Sequence, residues 1–340
     1  MSDYYGTPVL TTKRGETMSI QLKDIAYGRV NAPDLDVMQG FLQDFGMQVS
    51  ARTPDALYLR GHGPAHHIHV VHRGAPGVRS LAFDAATQQD LERAAQLPGA
   101  SPITPLQDPG GGQCVLLSEP NGLCIEVVYG RQTLEPLPVQ THAMNTAQTP
   151  RQRPSGMTVM PPRPAQVVRF GHGVIFTPQV KQTAQWFQDT FGMLQSDLLY
   201  DGSQDNVVGI FLRMAHGSTL VDHHTMFVAY AAEPGIHHLS FEVADIDDLL
   251  RGKEYLAQRQ YQHLWGISRH VQGGQISDYW VDPSGVMLEH WTDSDRLDEN
   301  EPPRLLTREQ SRSFWGPQAG TAFRSHRLSP IAANLAQGGR

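Results

Sequence analysis

The sequence predicts an α+β fold, with four βαβββ modules paired into two similar domains whose curled, mixed sheets surround a cavity. Three observations support this prediction. The chain has 340 residues, which is enough for two domains of ordinary size. Hydrophobic residues make up 39% of it, as expected for a protein with a buried core. Two blocks, 22–130 and 167–293, also carry the same short motifs in the same order.

Three pairs of motifs align the two blocks. They are 41–47 (FLQDFGM) with 187–193 (FQDTFGM), 80–84 (SLAFD) with 238–242 (HLSFE), and 120–126 (PNGLCIE) with 283–289 (PSGVMLE). Three matches in one order indicate an internal duplication.

Hydrophobic periodicity gives the elements of the second block in order. They are a strand (167–176), an amphipathic helix that ends before Gly192 (179–190), further strands (207–230), another strand (236–243), a helix capped by Asp245 (246–260), and strands through Trp291. This is a βαβββ pattern used twice per block. Helices segregated from mostly antiparallel sheets are typical of the α+β class.

Polar segments separate and flank the blocks. Residues 133–166 are rich in Pro, Gln, Thr and Arg and lack an apolar period, so they read as a linker. The predicted organisation is an N-terminal tail (1–21), a first domain (22–130), a linker (131–166), a second domain (167–293), and a C-terminal tail that could cover a pocket (294–340).

Composition excludes several classes of protein. The net charge is −7, with 27 basic against 34 acidic residues, so we expect no nucleic-acid or membrane partner. No window is apolar enough to span a bilayer, and the first 21 residues lack a secretory signal. Two cysteines, Cys114 and Cys124, cannot form a disulfide framework. We therefore expect a cytoplasmic protein.

The 16 histidines are unusually many, and strand parity shows which of them can share a face. If the inward faces of three predicted strands meet, His172, His238 and Glu289 converge. Two imidazoles and one carboxylate on one side of a metal form the facial triad of non-haem Fe(II) oxygenases.

On these motifs the chain resembles the type I extradiol catechol dioxygenases of the vicinal oxygen chelate superfamily. The resemblance covers both blocks and is sharpest over 170–293. It implies that Fe(II), with Mn(II) as a substitute, is held by His172 of 170–174 (FGHGV), His238 of 235–241 (GIHHLSF) and Glu289 of 286–289 (VMLE).

The same resemblance implies the catalytic residues. His224 in 222–225 (DHHT) matches the acid–base histidine of the family. His270 in 268–270 (SRH) and Tyr279 in 277–283 (SDYWVDP) match the residues that hydrogen-bond the substrate oxygens and favour the ionised catechol.

The resemblance also implies the reaction and its partners. The expected activity is Fe(II)-dependent extradiol (meta) cleavage of a substituted catechol by O2 to a hydroxymuconic semialdehyde-type product, in aromatic compound catabolism. A small aromatic diol is the expected partner of a homo-oligomer. The alternatives are a hydroquinone-cleaving enzyme, a 4-hydroxyphenylpyruvate dioxygenase-like enzyme, and a non-catalytic ligand-binding member of the superfamily.

Two candidate substrate-binding residues favour different substrates. Val174 lies two residues after the first candidate ligand, and an apolar residue there favours a hydrophobic substituent. Arg269 favours a carboxylate, which a guanidinium binds in a bidentate manner.

In the tail, 314–317 (FWGP) resembles an aromatic segment of some relatives, and three arginines could face substrate: Arg304, Arg308 and Arg312.

Most other histidines are expected to have no direct role. His223 and His237 should point to the face opposite their neighbours, because side chains alternate along a strand. The remaining ones are interpreted as surface or strand residues (His62, His66, His67, His69) and as solvent or core residues (His216, His263, His290). Gly110–Gly112 precede a strand and not a helix, so they are not a phosphate loop.

The duplication predicts one metal per chain. Tyr27 and Ser80 match the two histidine ligands in the first block, and only Glu126 is kept, opposite Glu289. A carboxylate with a phenol and a hydroxyl is a poor Fe(II) site because the imidazoles are gone. The first domain is therefore expected to be a structural duplicate without metal.

Overall fold

The computed structural model describes residues 19–149, residue 153 and residues 161–332. Parts of the predicted tails and linker lie outside the described residues: 1–18, 150–152, 154–160 and 333–340. Two large mixed sheets with few helices make up the described chain, which confirms the predicted α+β class. No helix among the described residues combines the length and hydropathy needed to cross a bilayer.

The first half of the chain forms an eight-stranded sheet from two modules. The first module contains β1 (Leu22–Ala32), α1 (Leu35–Phe45), β2 (Gln48–Arg52), β3 (Ala56–Arg60) and β4 (His69–Arg73). The second contains β5 (Gly77–Ala85), α2 (Gln88–Ala94), β6 (Thr104–Pro105), β7 (Gln113–Ser118) and β8 (Cys124–Tyr129). The strand order β2-β3-β4-β1-β5-β8-β7-β6 places the first strand of each module side by side in the centre.

The second half repeats this plan. Its first module contains β9 (Val167–Thr177), α3 (Val180–Phe191), β10 (Leu194–Asp201), β11 (Ser203–Arg213), β12 (Val221–Asp222) and β13 (Met226–Tyr230). The next contains β14 (Gly235–Val243), α4 (Ile246–Gln258), β15 (His263–Arg269), β16 (Ile276–Val281) and β17 (Met287–Thr292). The tail adds β18 (Arg296–Leu297), β19 (Arg304–Thr307) and α5 (Thr321–Arg324). The nine-stranded order is β15-β16-β17-β14-β9-β13-β11-β10-β19, while β12 pairs with β18.

The shared motifs are helix boundaries as well as strand positions. The glycines of the FGM motifs, Gly46 and Gly192, follow α1 and α3 with φ of 113° and 67°. Glycine adopts this left-handed conformation without steric cost, so it ends both helices. Asp245 caps α4 as predicted, because its carboxylate accepts a hydrogen bond from the backbone N–H of Asp248 at 2.8 Å.

Aromatic packing joins the two halves into one core. Phe45 of α1 stacks on His290 of β17 with ring centroids 3.7 Å apart, and Nε2 of His290 donates to the carbonyl oxygen of Phe45 at 2.7 Å. Phe83 of the first sheet stacks on Phe191 of α3 at 5.8 Å. His290 is thus a core residue, which was one of its two predicted placements.

Sheet register shows which residues of the two halves correspond. Tyr27 and Glu126 both pair with Ala82 in the first sheet, as His172 and Glu289 both pair with Ser240 in the second. Ser80 pairs with Cys124 as His238 pairs with Met287. The predicted correspondence of the three candidate ligands with residues of the first half is therefore confirmed.

A buried arginine occupies the first half where the triad lies in the second. Arg29 Nε donates to Oε1 of Glu126 at 2.9 Å, and its Nη2 donates to Asp108 at 2.7 Å. Tyr27 donates its hydroxyl to Glu126 at 2.5 Å, and the Ser80 hydroxyl also donates to Glu126. Burial alone would raise the pKa of Glu126, but Arg29 and these hydroxyls hold it at about 2. A guanidinium thus neutralises the carboxylate.

We expect Arg29→Ala to destabilise the protein strongly. It would leave the buried carboxylate of Glu126 without its cation, and breaking one side of a buried ion pair costs about 3–5 kcal/mol. Urea denaturation followed by circular dichroism measures the loss. The control is Arg52→Ala, because Arg52 pairs with an Asp36 side chain that is 83% exposed. An Arg29→Ala variant no less stable than this control would contradict the argument.

Candidate metal centre

Three candidate ligands meet on neighbouring central strands of the second sheet. His172 lies on β9, His238 on β14 and Glu289 on β17, and all three are buried. Nε2 of His172 lies 3.0 Å from Oε2 of Glu289, and Nε2 of His238 lies 3.2 Å from the same oxygen. The three ligand atoms all lie within 4.8 Å of one another, so one ion could bind all of them.

The chemistry of these groups fits a divalent metal. Oε1 of Glu289 is buried and has no hydrogen-bond partner among the residues that the structure describes, while Oε2 accepts from Ser240 at 2.5 Å. Burial lowers the pKa of His172 and so keeps its imidazole neutral. Burial opposes ionisation of Glu289, but the two imidazoles beside it hold its pKa well below the usual range. A neutral imidazole at His172 and an ionised carboxylate at Glu289 are the protonation states that metal binding requires.

His224 lies beside the triad, as predicted. Its ring centroid is 4.3 Å from that of His172, and its side chain lines the same cavity. Burial, and then the neighbouring His172, place the pKa of His224 well below its ordinary value, so the imidazole is neutral at pH 7. A neutral imidazole has one nitrogen that can accept a proton.

His270 and Tyr279 lie on the other side of His238. The Tyr279 hydroxyl is 3.5 Å from Nε2 of His270, and its ring meets that of His238 at 5.3 Å. Trp265 stacks on both side chains, at 5.0 and 5.2 Å, and so fixes their ring planes. Burial raises the pKa of Tyr279 well above its usual value and lowers that of His270 to about 4. Both groups are thus neutral.

All of these side chains line one cavity of about 730 Å³. Its wall beyond the triad is largely apolar, with Val174, Phe176, Leu199, Val207, Phe211, Phe227 and Phe323. The two charged side chains among its other lining residues, Arg308 and Asp201, lie 3.4 Å apart. The tail contributes Arg308, Ser311, Ala319 and Phe323 to the lining, so it covers part of the cavity.

Arg269 is placed differently from our expectation. Its guanidinium donates to Asp293 and to the carbonyl oxygen of Gly274, both at 2.5 Å, and it packs over the ring of Trp315. It does not line the cavity. Alternation explains the placement, because its neighbour His270 faces the cavity.

The tail arginines also differ from one another. Of the three that could face substrate, only Arg308 lines the cavity. Arg304 binds Asp197, and Arg312 pairs with Glu309 at the surface. In the aromatic segment, Phe314 is exposed and Trp315 packs against Arg269.

The expectation that His237 points away from its neighbour is wrong. His237 and His238 both line the cavity, and their Nδ1 atoms lie 2.7 Å apart. The pairing of β14 with β9 shifts register between Ile236 and His238, and such an irregularity breaks the alternation of side chains. His237 stacks on Phe176 with ring centroids 4.5 Å apart.

His223 points away from the cavity, as expected, but it is not without a partner. Its Nδ1 lies 3.1 Å from Nδ1 of His224, and its Nε2 lies 3.0 Å from the buried carboxylate of Asp197. Sequence reasoning missed Asp197 because it lies 26 residues away on β10. It also missed Trp265, which stacks on His270 and Tyr279. The paired imidazoles did have a sequence signal, because the dipeptide HH recurs at 66–67, 223–224 and 237–238.

The histidines of the first half are more buried than a surface position would allow. His67 and His69 are 1% and 0% exposed, and His66 is also buried. His69 is a strand residue, as one of the predicted placements had it. Burial lowers the pKa of His67 and His69 to about 3. Of the others, His62 contacts the carbonyl oxygen of Pro138 and His216, which is half-buried, contacts that of Leu22. His263 is exposed and contacts the carboxylate of Asp278.

Comparison with known proteins places this geometry among relatives. Residues 169–290 match the model of the Glyoxalase/Bleomycin resistance protein/Dioxygenase superfamily. The chain is 27% identical over 300 residues to metapyrocatechase 2 of Cupriavidus necator, covering 86% of this chain and 89% of that protein. It is 25% identical over 305 residues to the metapyrocatechase of Geobacillus stearothermophilus, covering 83% and 85%.

Solved structures share the fold. Homoprotocatechuate 2,3-dioxygenase from Brevibacterium fuscum, in complex with 3,4-dihydroxyphenylacetate, matches with a TM-score of 0.77 at 18% identity, covering 94% of this chain and 97% of that one. The Mn(II)-bound glyoxalase from Novosphingobium aromaticivorans matches with a TM-score of 0.75 at 20% identity, covering 93% and 97%. Residues 169–290, which carry the triad, are therefore similar to the Glyoxalase/Bleomycin resistance protein/Dioxygenase superfamily.

Proposed function

We propose that the protein is an Fe(II)-dependent extradiol dioxygenase that cleaves the ring of a catechol with an apolar substituent. The reaction adds both atoms of O2 across the carbon–carbon bond beside the diol and gives a hydroxymuconic semialdehyde-type product. One observation supports it most directly. The triad of His172, His238 and Glu289 shares a single cavity with an acid–base candidate, His224, and a phenol, Tyr279.

Fe(II), or Mn(II) in its place, would be held by the two histidines and the glutamate, which suit such ions. When bound, the metal supplies the electron transfer that lets a catechol react with O2. The protein contributes His172 and Glu289 in the protonation states that metal binding requires. It also contributes an apolar wall, which excludes water from the reacting groups.

Tyr279 and His270 would orient and ionise the diol. The Tyr279 hydroxyl keeps its proton because burial raises its pKa, so it can donate a hydrogen bond to a catechol oxygen. A hydrogen bond to the charged form favours ionisation of the catechol. Trp265 holds both residues in nearly parallel planes, at 6° to Tyr279 and 15° to His270, and so fixes the direction of that bond.

His224 would move protons on the opposite side of the site. Its imidazole is neutral, so it can accept the proton that the catechol loses and return it at a later step. Its position against His172 places it next to the reacting centre, while His270 and Tyr279 lie beside His238. The two sides of the cavity thus have different tasks.

The cavity wall supports an apolar ring substituent. Val174, Phe176 and Phe227 line it, and the nearby Arg308 is already paired with Asp201 at the rim. Arg269, the candidate for a carboxylate, lies outside the cavity lining. A volume of about 730 Å³ exceeds the needs of catechol alone, and pockets of this size bind ligands with more than one ring.

A substrate panel tests the proposal. Fe(II)-loaded protein is mixed in air with catechol, an alkyl- or aryl-substituted catechol, a carboxylated catechol and a hydroquinone, while O2 uptake and the yellow product are followed. We expect the apolar-substituted catechol to exceed the carboxylated one in kcat/KM by about 10–200-fold, the range for apolar pocket contacts.

The other outcomes have definite meanings. Preference for the carboxylated catechol would contradict the substrate class but not the reaction. Cleavage of the hydroquinone alone would replace the reaction with that of a hydroquinone-cleaving enzyme. No O2 uptake with any of them, in protein that retains iron, would contradict the proposed function.

A further inference from the structure

A chain of buried hydrogen bonds leads from His224 away from the cavity. Nδ1 of His224 lies 3.1 Å from Nδ1 of His223, whose Nε2 lies 3.0 Å from Oδ2 of Asp197. Arg304 donates to both oxygens of this carboxylate at 2.7 Å each. His224, His223 and Asp197 are at most 4% exposed, so water does not replace these bonds.

The donor and acceptor roles along this chain follow from the carboxylate at its end. Ionised Asp197 can only accept, so His223 must carry a proton on Nε2. In an uncharged imidazole that donates from Nε2, Nδ1 is the acceptor, so this arrangement has His224 donating from its own Nδ1. This leaves Nε2 of His224 without a proton. Among the described residues, that nitrogen has no hydrogen-bond partner, and the side chain lines the cavity.

The first half of the chain shows that the histidine pair does not need the carboxylate in order to form. His66 and His67 hold their Nδ1 atoms at the same separation, 3.1 Å. Ala51 pairs with Tyr58 on the neighbouring strand of the first sheet, just as Asp197 pairs with Phe211 in the second. Alanine therefore stands where the second half has aspartate. The carboxylate is present only in the half that carries the triad.

We infer that Asp197 and His223 are positioning residues that hold His224 as the tautomer whose unprotonated Nε2 faces the cavity. The inference rests on the proposed function, because a catechol would donate its proton to that nitrogen. An aspartate that fixes the tautomer of a general-base imidazole has the same effect in serine proteases.

The same carboxylate connects this histidine to the tail. Arg304 belongs to β19, which pairs with β10 so that Arg304 lies opposite Asp197. The tail beyond β19 supplies Phe323 and Ser311 to the cavity lining. The segment that covers the cavity is thus anchored on the group that sets the proton on His224.

The tautomer can be measured without turnover. Protein labelled with ¹⁵N-histidine and loaded with diamagnetic Zn(II) is studied by two-bond ¹H–¹⁵N correlation, with His224 assigned from its Gln variant. We expect wild-type His224 to carry its proton on Nδ1, and Asp197→Ala to lose this preference for Nδ1 over Nε2.

Iron-loaded Asp197→Ala should keep its metal and KM and lose about 10–100-fold in kcat, as when an outer partner of a functional histidine is removed.

Arg304→Gln is the matched control, because it loosens the tail but leaves the carboxylate on His223. It should keep the wild-type tautomer and most of kcat. A proton on Nε2 of wild-type His224 would overturn the inference, even if Asp197→Ala does not fold. Equal losses of kcat in Asp197→Ala and Arg304→Gln would also overturn it in favour of tail anchoring. An inactive wild-type protein with the Nδ1–H tautomer would instead contradict the proposed function.

Discussion

Metal analysis of fully reconstituted protein is expected to give about one iron per chain, and essentially none after His172→Ala. The substitution removes one imidazole from a three-ligand set, and the remaining imidazole and carboxylate do not complete a facial triad. Activity should fall with the metal content. Inductively coupled plasma mass spectrometry of gel-filtered protein, with catechol-dependent O2 uptake measured beside it, checks both results.

The first half provides the control for this experiment. Glu126 corresponds to Glu289, but it is already bound by Arg29, Tyr27 and Ser80. Glu126→Gln keeps the shape of the side chain and should leave the metal content unchanged. Close to two irons per chain in the wild type, or loss of iron in Glu126→Gln, would show that the first half is also a metal site.

His224→Gln is expected to retain iron and to slow turnover by about 10²–10⁴-fold, the usual effect of losing a general acid–base group. Glutamine can still form hydrogen bonds, but it cannot take up and return a proton near neutral pH. Stopped-flow measurement of product formation, with iron determined in the same sample, separates loss of proton transfer from loss of metal.

A matched substitution exists in the other half. His67 is bonded to His66 as His224 is to His223, yet the first half lacks the triad. His67→Gln should leave turnover at the wild-type level. If His224→Gln instead lost its iron, His224 would be a ligand, and its assignment as an acid–base group would be wrong.

The fold could be predicted because its signals are local and repeated. The FGM motifs end helices at glycines with positive φ, Gly46 and Gly192, and the hydrophobic periods between such points give the strands. The predicted helix 246–260 is observed as Ile246–Gln258. Each half confirms the other, since a chance pattern in one block would not recur in order in the next.

The centre of the site was predictable for the same reason, and its surroundings were not. His172, His238 and Glu289 lie on central strands, where alternation fixes the face. Alternation failed at His237, because the register shift in β14 cannot be seen in the residues themselves. Asp197 was missed because its role depends on strand register.

The substrate end was hardest to predict from sequence. An arginine beside a site residue can equally bind a carboxylate of the substrate or one of the protein. Arg269 binds Asp293 of the protein, because its side chain points to the face of β15 opposite the cavity. The tail that closes the cavity has few regular elements, so its contacts, such as Phe323 against Tyr279, have no periodic signal.

The arginine at the centre of the first sheet bears on how the chain matures. Its positive charge is part of the polypeptide, so the negative charge of Glu126 is compensated without a metal ion. Among the described residues, Glu289 contacts His172 and His238 and no arginine or lysine. The carboxylate of Glu126 is therefore compensated in the chain as synthesised, whereas compensation of Glu289 by a cation would depend on one added from outside.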